Sequence, residues 1–100
     1  MSTYYYTRLN GPRSTFPFDI DDKERIIMGE HAAYWKQLMA EGKVAVYGPV
    51  LDPRSVFGMG VLCVEDEAEL KRLLAYDPVS KAELGSYEYH PMKAVVPGKE

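Results

Sequence analysis

Apolar and polar positions change period several times along the chain. Thr3 to Leu9 (TYYYTRL) is rich in aromatic and β-branched residues and stops at Asn10-Gly11-Pro12, which predicts a strand closed by a breaker. Residues 10–21 (NGPRSTFPFDID) hold two prolines, a glycine and polar turn formers. This reads as a loop, long enough by the usual distribution to have a role. The period then becomes helical. Asp21 or Asp22 can cap a helix, with acids at its positive end. The helix is expected from about Asp22 to Glu41, with Gly42 as its stop. At about 100° per residue, Ile27, His31, Tyr34 and Leu38 share one narrow sector, and Met28, Ala32, Trp35 and Met39 lie beside it. Arg25, Lys36, Gln37, Ala40 and Glu41 fall on the other side. A titratable ring, His31, thus sits inside the apolar arc.

Val44 to Leu51 (VAVYGPVL) predicts a second strand, bent at Gly48-Pro49. Asp52 to Ser55 (DPRS) is a turn, and Val56 to Val64 (VFGMGVLCV) a third strand. Glu65 to Tyr76 is a short helix with acids first and Leu70, Leu73 and Leu74 inward. Asp77-Pro78 ends it, because the residue before a proline is pushed out of the helical region. Gly85 to Val96 is a fourth strand, with Pro91 marking a bulge or an edge. The order β-α-β-β-α-β is the ferredoxin-like arrangement: an α+β fold with a four-stranded antiparallel sheet and two helices on one face.

Strand alternation carries the reading further. In the third strand Phe57, Met59, Val61 and Cys63 form one face, and Leu62 and Val64 lie on the other with Gly58 and Gly60. Val44 and Val46 are set against Ala45 and Tyr47, and Tyr4 and Tyr6 against Tyr5. A sheet apolar on both faces needs a second cover, most simply another copy of itself, so a homodimer is expected.

The 100 residues are expected to form one domain spanning 1–100, with an ordinary 46% hydrophobic and 27% charged content. Net charge is −3, and the Lys and Arg are scattered, which gives no footprint for nucleic acid or an acidic membrane surface. No apolar run has the length of a membrane span, and the start lacks the pattern of a signal peptide. The lone Cys63 reads as a small buried thiol. Together these features point to a cytoplasmic setting.

The topology gathers candidate chemistry at one end. With about 1.5 Å of rise per residue, Asp77 stands roughly 16 Å above the base of the second helix and His31 roughly 15 Å above the base of the first. Arg13, Gly48, Pro49 and Asp52 hang from the same edge. An Asp beside a His fixes the ring's tautomer and stabilises the imidazolium, and a base so held can abstract a proton from a small molecule or return one. Asp77 also ends a helix, where the dipole disfavours a negative charge by up to about 1 kcal/mol, so it should have a partner. Against this, an isolated core-facing histidine is more often structural, Tyr34 and Trp35 are first of all core or interface residues, and Arg13 is by default a solvated loop residue. His31 and His90 follow no metal-ligand spacing, and no phosphate loop or Ser/Cys nucleophile motif is present, so no metal and no cofactor are expected.

The segments YYYTRLNGPRSTF, ERIIMGEHAAYW, EGKVAVYGPV, GMGVLCV and YDPVSKAELGSYEYHPM, in this order over nearly the whole chain, resemble the YciI-related (YCII) family. The resemblance implies a dimeric α+β barrel, in which two ferredoxin-like units pack sheet against sheet, with a histidine/aspartate-centred site in a cleft. By motif the histidine is His31, the aspartate is Asp77, and Gly48-Pro49 matches the family's GP turn. Where the family usually has an aromatic after DP, this chain has Val79. The candidate catalytic residues are therefore His31 and Asp77. Arg13, as an anion anchor, with Tyr34, Trp35, Gly48, Pro49 and Asp52, are the candidate substrate-binding residues. Two functions are open. One is a small cofactor-free lyase or isomerase moving a proton on a small, ring-shaped or phenolic molecule. The other is a non-catalytic dimeric binding or regulatory module whose cleft holds a metabolite. A cleft with His31 and Asp77 in hydrogen-bond reach favours the first, and a ring buried with no cavity the second.

Overall fold

In the computed structural model, which describes residues 2–98, the chain folds in the expected ferredoxin-like order. The strands are β1 (Thr3–Asn10), β2 (Val44–Val50), β3 (Phe57–Val64) and β4 (Ser86–Met92). They form one antiparallel sheet in the order β2-β3-β1-β4. The helices are α1 (Asp22–Ala40), α2 (Glu67–Tyr76) and a single turn, α3 (Pro78–Lys81). No described helix is long and apolar enough to cross a membrane.

The first helix starts where its capping chemistry predicts. Asp21 Oδ1 accepts the Glu24 N–H at 2.8 Å, and Glu24 Oε1 accepts the Asp21 N–H at 3.1 Å, a reciprocal capping box. It ends before Gly42, whose φ of 79° takes the left-handed conformation that glycine adopts without strain. Trp35 and Leu38 are its buried residues. They enter a core with Tyr5, Val44, Leu62, Val64, Leu70 and Leu74. Trp35 can lie this close to the sheet only because residue 60 lacks a side chain: a Cβ there would stand 2.5 Å from the indole.

Three features correct the sequence reading. The irregularity in β2 falls between Val44 and Val46, not at Gly48-Pro49, which pair regularly with Met59 and Gly58. This bulge puts Val44 opposite Leu62 and Tyr47 opposite Gly60, both on the helix side, and leaves Val46 opposite Val61 on the outer side. Strict alternation had grouped Val44 with Val46; one extra residue reverses which side chains face in. Second, Asp77 does more than end a helix: it ends α2 and at once caps α3, its carboxylate accepting the Val79 N–H. Third, the fourth strand ends at Met92, short of Val96. It lies at the sheet edge, the place in a sheet where a proline such as Pro91 is tolerated.

Candidate active site

The site begins with a buried carboxylate. Asp77 is fully shielded from solvent, and four donors converge on it. His31 Nδ1 lies 2.8 Å from Oδ2 and 3.0 Å from Oδ1. Trp35 Nε1–H donates to Oδ2 at 2.8 Å, the Tyr87 hydroxyl donates to Oδ2 at 2.5 Å, and the Val79 N–H donates to Oδ1 at 3.0 Å. Burial pushes the carboxyl pKa up. The hydrogen bond and charge of His31, then Tyr87 and Val79, outweigh burial, and the net shift is downward. Tyr87 shows the reverse effect: burial, then the neighbouring Asp77 charge, pushes its phenol far up, so it serves as a donor.

Each element has its own part in this arrangement. One helical turn separates His31 from Trp35, so both side chains leave the same face of α1. The proline at the first position of α3 stops α2 and turns the chain, which places Asp77 beneath that face. Tyr87 reaches the carboxylate from β4.

An ionised carboxylate only accepts, so the His31 nitrogen facing it carries a proton. Nδ1–H thus faces the carboxylate, and Nε2 is the ring nitrogen that no described residue engages. His31 lines a cavity of about 250 Å³ between α1, the sheet and the 10–21 loop. The wall includes Met28, Trp35, Tyr47, Gly48, Pro49, Gly60 and Tyr87. The loop supplies Pro12, Phe16 and Pro17, which gives that long segment a structural role. Phe16 is buried against Gly11, where a Cβ would stand 2.9 Å from its ring.

Of the residues singled out in the sequence, His31, Trp35, Gly48 and Pro49 come together on this wall, with Asp77 directly behind. Arg13 does not join them. Its guanidinium is held by Asp19 at 2.9 Å and by both oxygens of Glu24 at 2.8 Å, so it ties the loop to the start of α1. That pairing lowers the Glu24 pKa to about 2. Tyr34 points away, donating to the Leu73 carbonyl at 2.6 Å; burial, then the charge of Asp77, raises its phenol to about 12. Asp52 is engaged by the Arg54 N–H at 2.9 Å and by its guanidinium. It borders a second, separate depression with Thr15, Phe18 and Leu51. Tyr47, Phe16 and Tyr87 were not singled out in the sequence. The signal available for Tyr87 was its place in the alternation of SYEYH, which turns Tyr87 and Tyr89 to the helix side.

Comparison with known proteins adds the following. A family model described as "YCII-related domain" matches residues 5–94. No curated protein matches the chain. Among solved structures, the chain is similar to 5-chloro-2-hydroxyhydroquinone dehydrochlorinase from Burkholderia phenoliruptrix AC1100, in complex with 2,5-dihydroxybenzoquinone. The TM-score is 0.69 at 20% identity, over 92% of this chain and 95% of that one.

Proposed function

The chain belongs to the YCII-related domain family, and from that premise we propose that its cavity is the site of a small cofactor-free enzyme, a lyase or isomerase working by acid–base chemistry on a small ring-shaped or phenolic molecule. One observation carries the reading: Asp77 holds His31 through Nδ1, and the ring lines the cavity with Nε2 unclaimed by any described residue. In this mechanism neutral His31 takes a proton at Nε2 from a C–H or O–H of the bound molecule. The buried Asp77 carboxylate stabilises the imidazolium that forms. The ring then returns the proton to another atom, an isomerisation, or keeps it while a leaving group departs with its electron pair, an elimination. Trp35, Gly48 and Pro49 shape the wall and exclude water. The similar solved protein is by name a dehydrochlorinase of a hydroxylated ring, which agrees with the lyase form of this chemistry. Arg13, Tyr34 and Asp52 have structural parts in this scheme.

Two copies are proposed to pair through the outer sheet face. There Val61 is already buried in the single chain while its neighbour Val46 is 49% exposed.

Hydrogen–deuterium exchange into 1,3,5-trihydroxybenzene, a ring whose C–H bonds exchange through its keto form, tests the chemistry. The wild type should accelerate exchange, and His31→Gln should remove about a hundredfold or more of that acceleration, the usual share of a general base. Binding of such rings with no acceleration would instead support a non-catalytic module.

A further inference from the structure

The cavity wall can be sorted by what its polar side chains already do. Thr7 donates to the Gly60 carbonyl at 2.9 Å. Asn10 joins Arg8 and Glu88. Trp35 and Tyr87 are both committed to Asp77. Two groups remain: Nε2 of His31 and the hydroxyl of Tyr47, whose ring packs on Trp35 at 5.7 Å and which makes no side-chain hydrogen bond to another described residue. No Asp, Glu, Lys or Arg lines the wall. The loop's Arg13, the one cation the sequence offered as an anion anchor, is saturated by Asp19 and Glu24. A negative charge, that of Asp77, already lies behind His31.

We infer that the cavity selects an uncharged ring with two polar substituents, one proton donor for His31 Nε2 and a second oxygen for Tyr47, and rejects rings bearing a carboxylate or a phosphate. Such an anion would lose its water against an apolar wall with no cation to replace it, a loss that unpaired buried charges do not recover. It would also face the charge of Asp77 across one imidazole. A neutral weak acid avoids both costs. The only charge then created in the cavity appears when its proton moves to His31, next to the imidazolium formed in the same step. Tyr47 becomes a specificity-determining residue that fixes which ring position meets the base. The inference rests on the cavity's being the ligand site and names the chemical class it takes.

The test uses the single tryptophan, Trp35, which lines the cavity and reports occupancy through its fluorescence. Phenol, the three benzenediols, 4-hydroxybenzoate and phenyl phosphate are titrated into the wild-type protein at pH 7. The best benzenediol should bind at least about tenfold more tightly than 4-hydroxybenzoate or phenyl phosphate, a difference that corresponds to one lost charge-compensating interaction. Tyr47→Phe should weaken that diol by about fivefold, the worth of one hydrogen bond, and change phenol by less than about twofold. Binding of 4-hydroxybenzoate or phenyl phosphate as tight as that of the diol overturns the inference, as does the absence of saturable diol binding. The wild-type comparison decides this without any variant. Selective diol binding with no catalysed exchange would leave this inference standing and remove the acid–base reading alone.

Discussion

Asp77 concentrates the electrostatics of this molecule in one side chain. A carboxylate out of contact with water is unstable unless donors replace its hydration; here four donors do so, two from α1, one from β4 and one from the backbone of α3. Its folded pKa is lower than its ordinary value of 3.8, so the folded state binds fewer protons than the unfolded one in that range. The stabilisation is therefore complete above about pH 4 and is lost as pH falls through the folded value. Asp77→Asn should be less stable than wild type near neutrality, by about 1–3 kcal/mol for a disrupted buried network, and denaturant midpoints should converge as pH falls below 3.8. A gap independent of pH would mean that the charge of Asp77 does not contribute. Gly60 offers a steric counterpart. Gly60→Ala sets a methyl group 2.5 Å from the indole. It should cost about 1–3 kcal/mol, as overpacking does, and shift the emission of Trp35 as the ring moves.

Among the elements, α1 positions most of the site, and its start is fixed twice. The capping box of Asp21 and Glu24 is a local device, legible in the sequence as an acid three residues before another. Arg13 adds a long-range tie by holding Glu24 from the loop that walls the cavity. Asp21→Ala should lower Tm by a few degrees, as loss of a cap does in a chain of this size. Arg13→Ala should change Tm little, because exposed ion pairs contribute little, yet raise the susceptibility of residues 10–21 to proteolysis. Equal protease resistance in wild type and Arg13→Ala would show that the guanidinium does not hold the loop. At the far end of the site, the single turn α3 converts an ordinary helix stop into a cap, which reverses the expected dipole effect. At the end of α2 the Asp77 charge is disfavoured, and at the start of α3 it is favoured.

At the scale of the whole molecule, both sheet faces carry apolar side chains, but the helices cover only one. The outer face holds Val46 and Val61 across β2 and β3, with Met59 and Phe57 on the same side by register. Sedimentation at micromolar concentration should give about twice the monomer mass, and Val46→Lys, which seats a charge at the exposed centre of that face, should return the monomer. A folded monomer in the wild type would refute pairing through this face.

The sequence by itself determined the element order, the capped first helix and the placement of His31 among apolar positions. These follow from period, caps and breakers, which act within a few residues. The height match between His31 and the end of the second helix also needed only helix rise and topology. The tertiary structure decided what local rules do not encode. A one-residue bulge chose which face of β2 turns inward, because register depends on the partner strand. The tyrosine of β4 reached Asp77 only because β4 lies beside β1 at the sheet edge. Arg13 went to Glu24 rather than to the cavity because a guanidinium pairs with the nearest carboxylates the fold supplies, and these were set by the loop's path over the start of α1. Which polar groups stay unclaimed, and so remain for a ligand, is a property of the assembled contacts, and the sequence lists only the candidates.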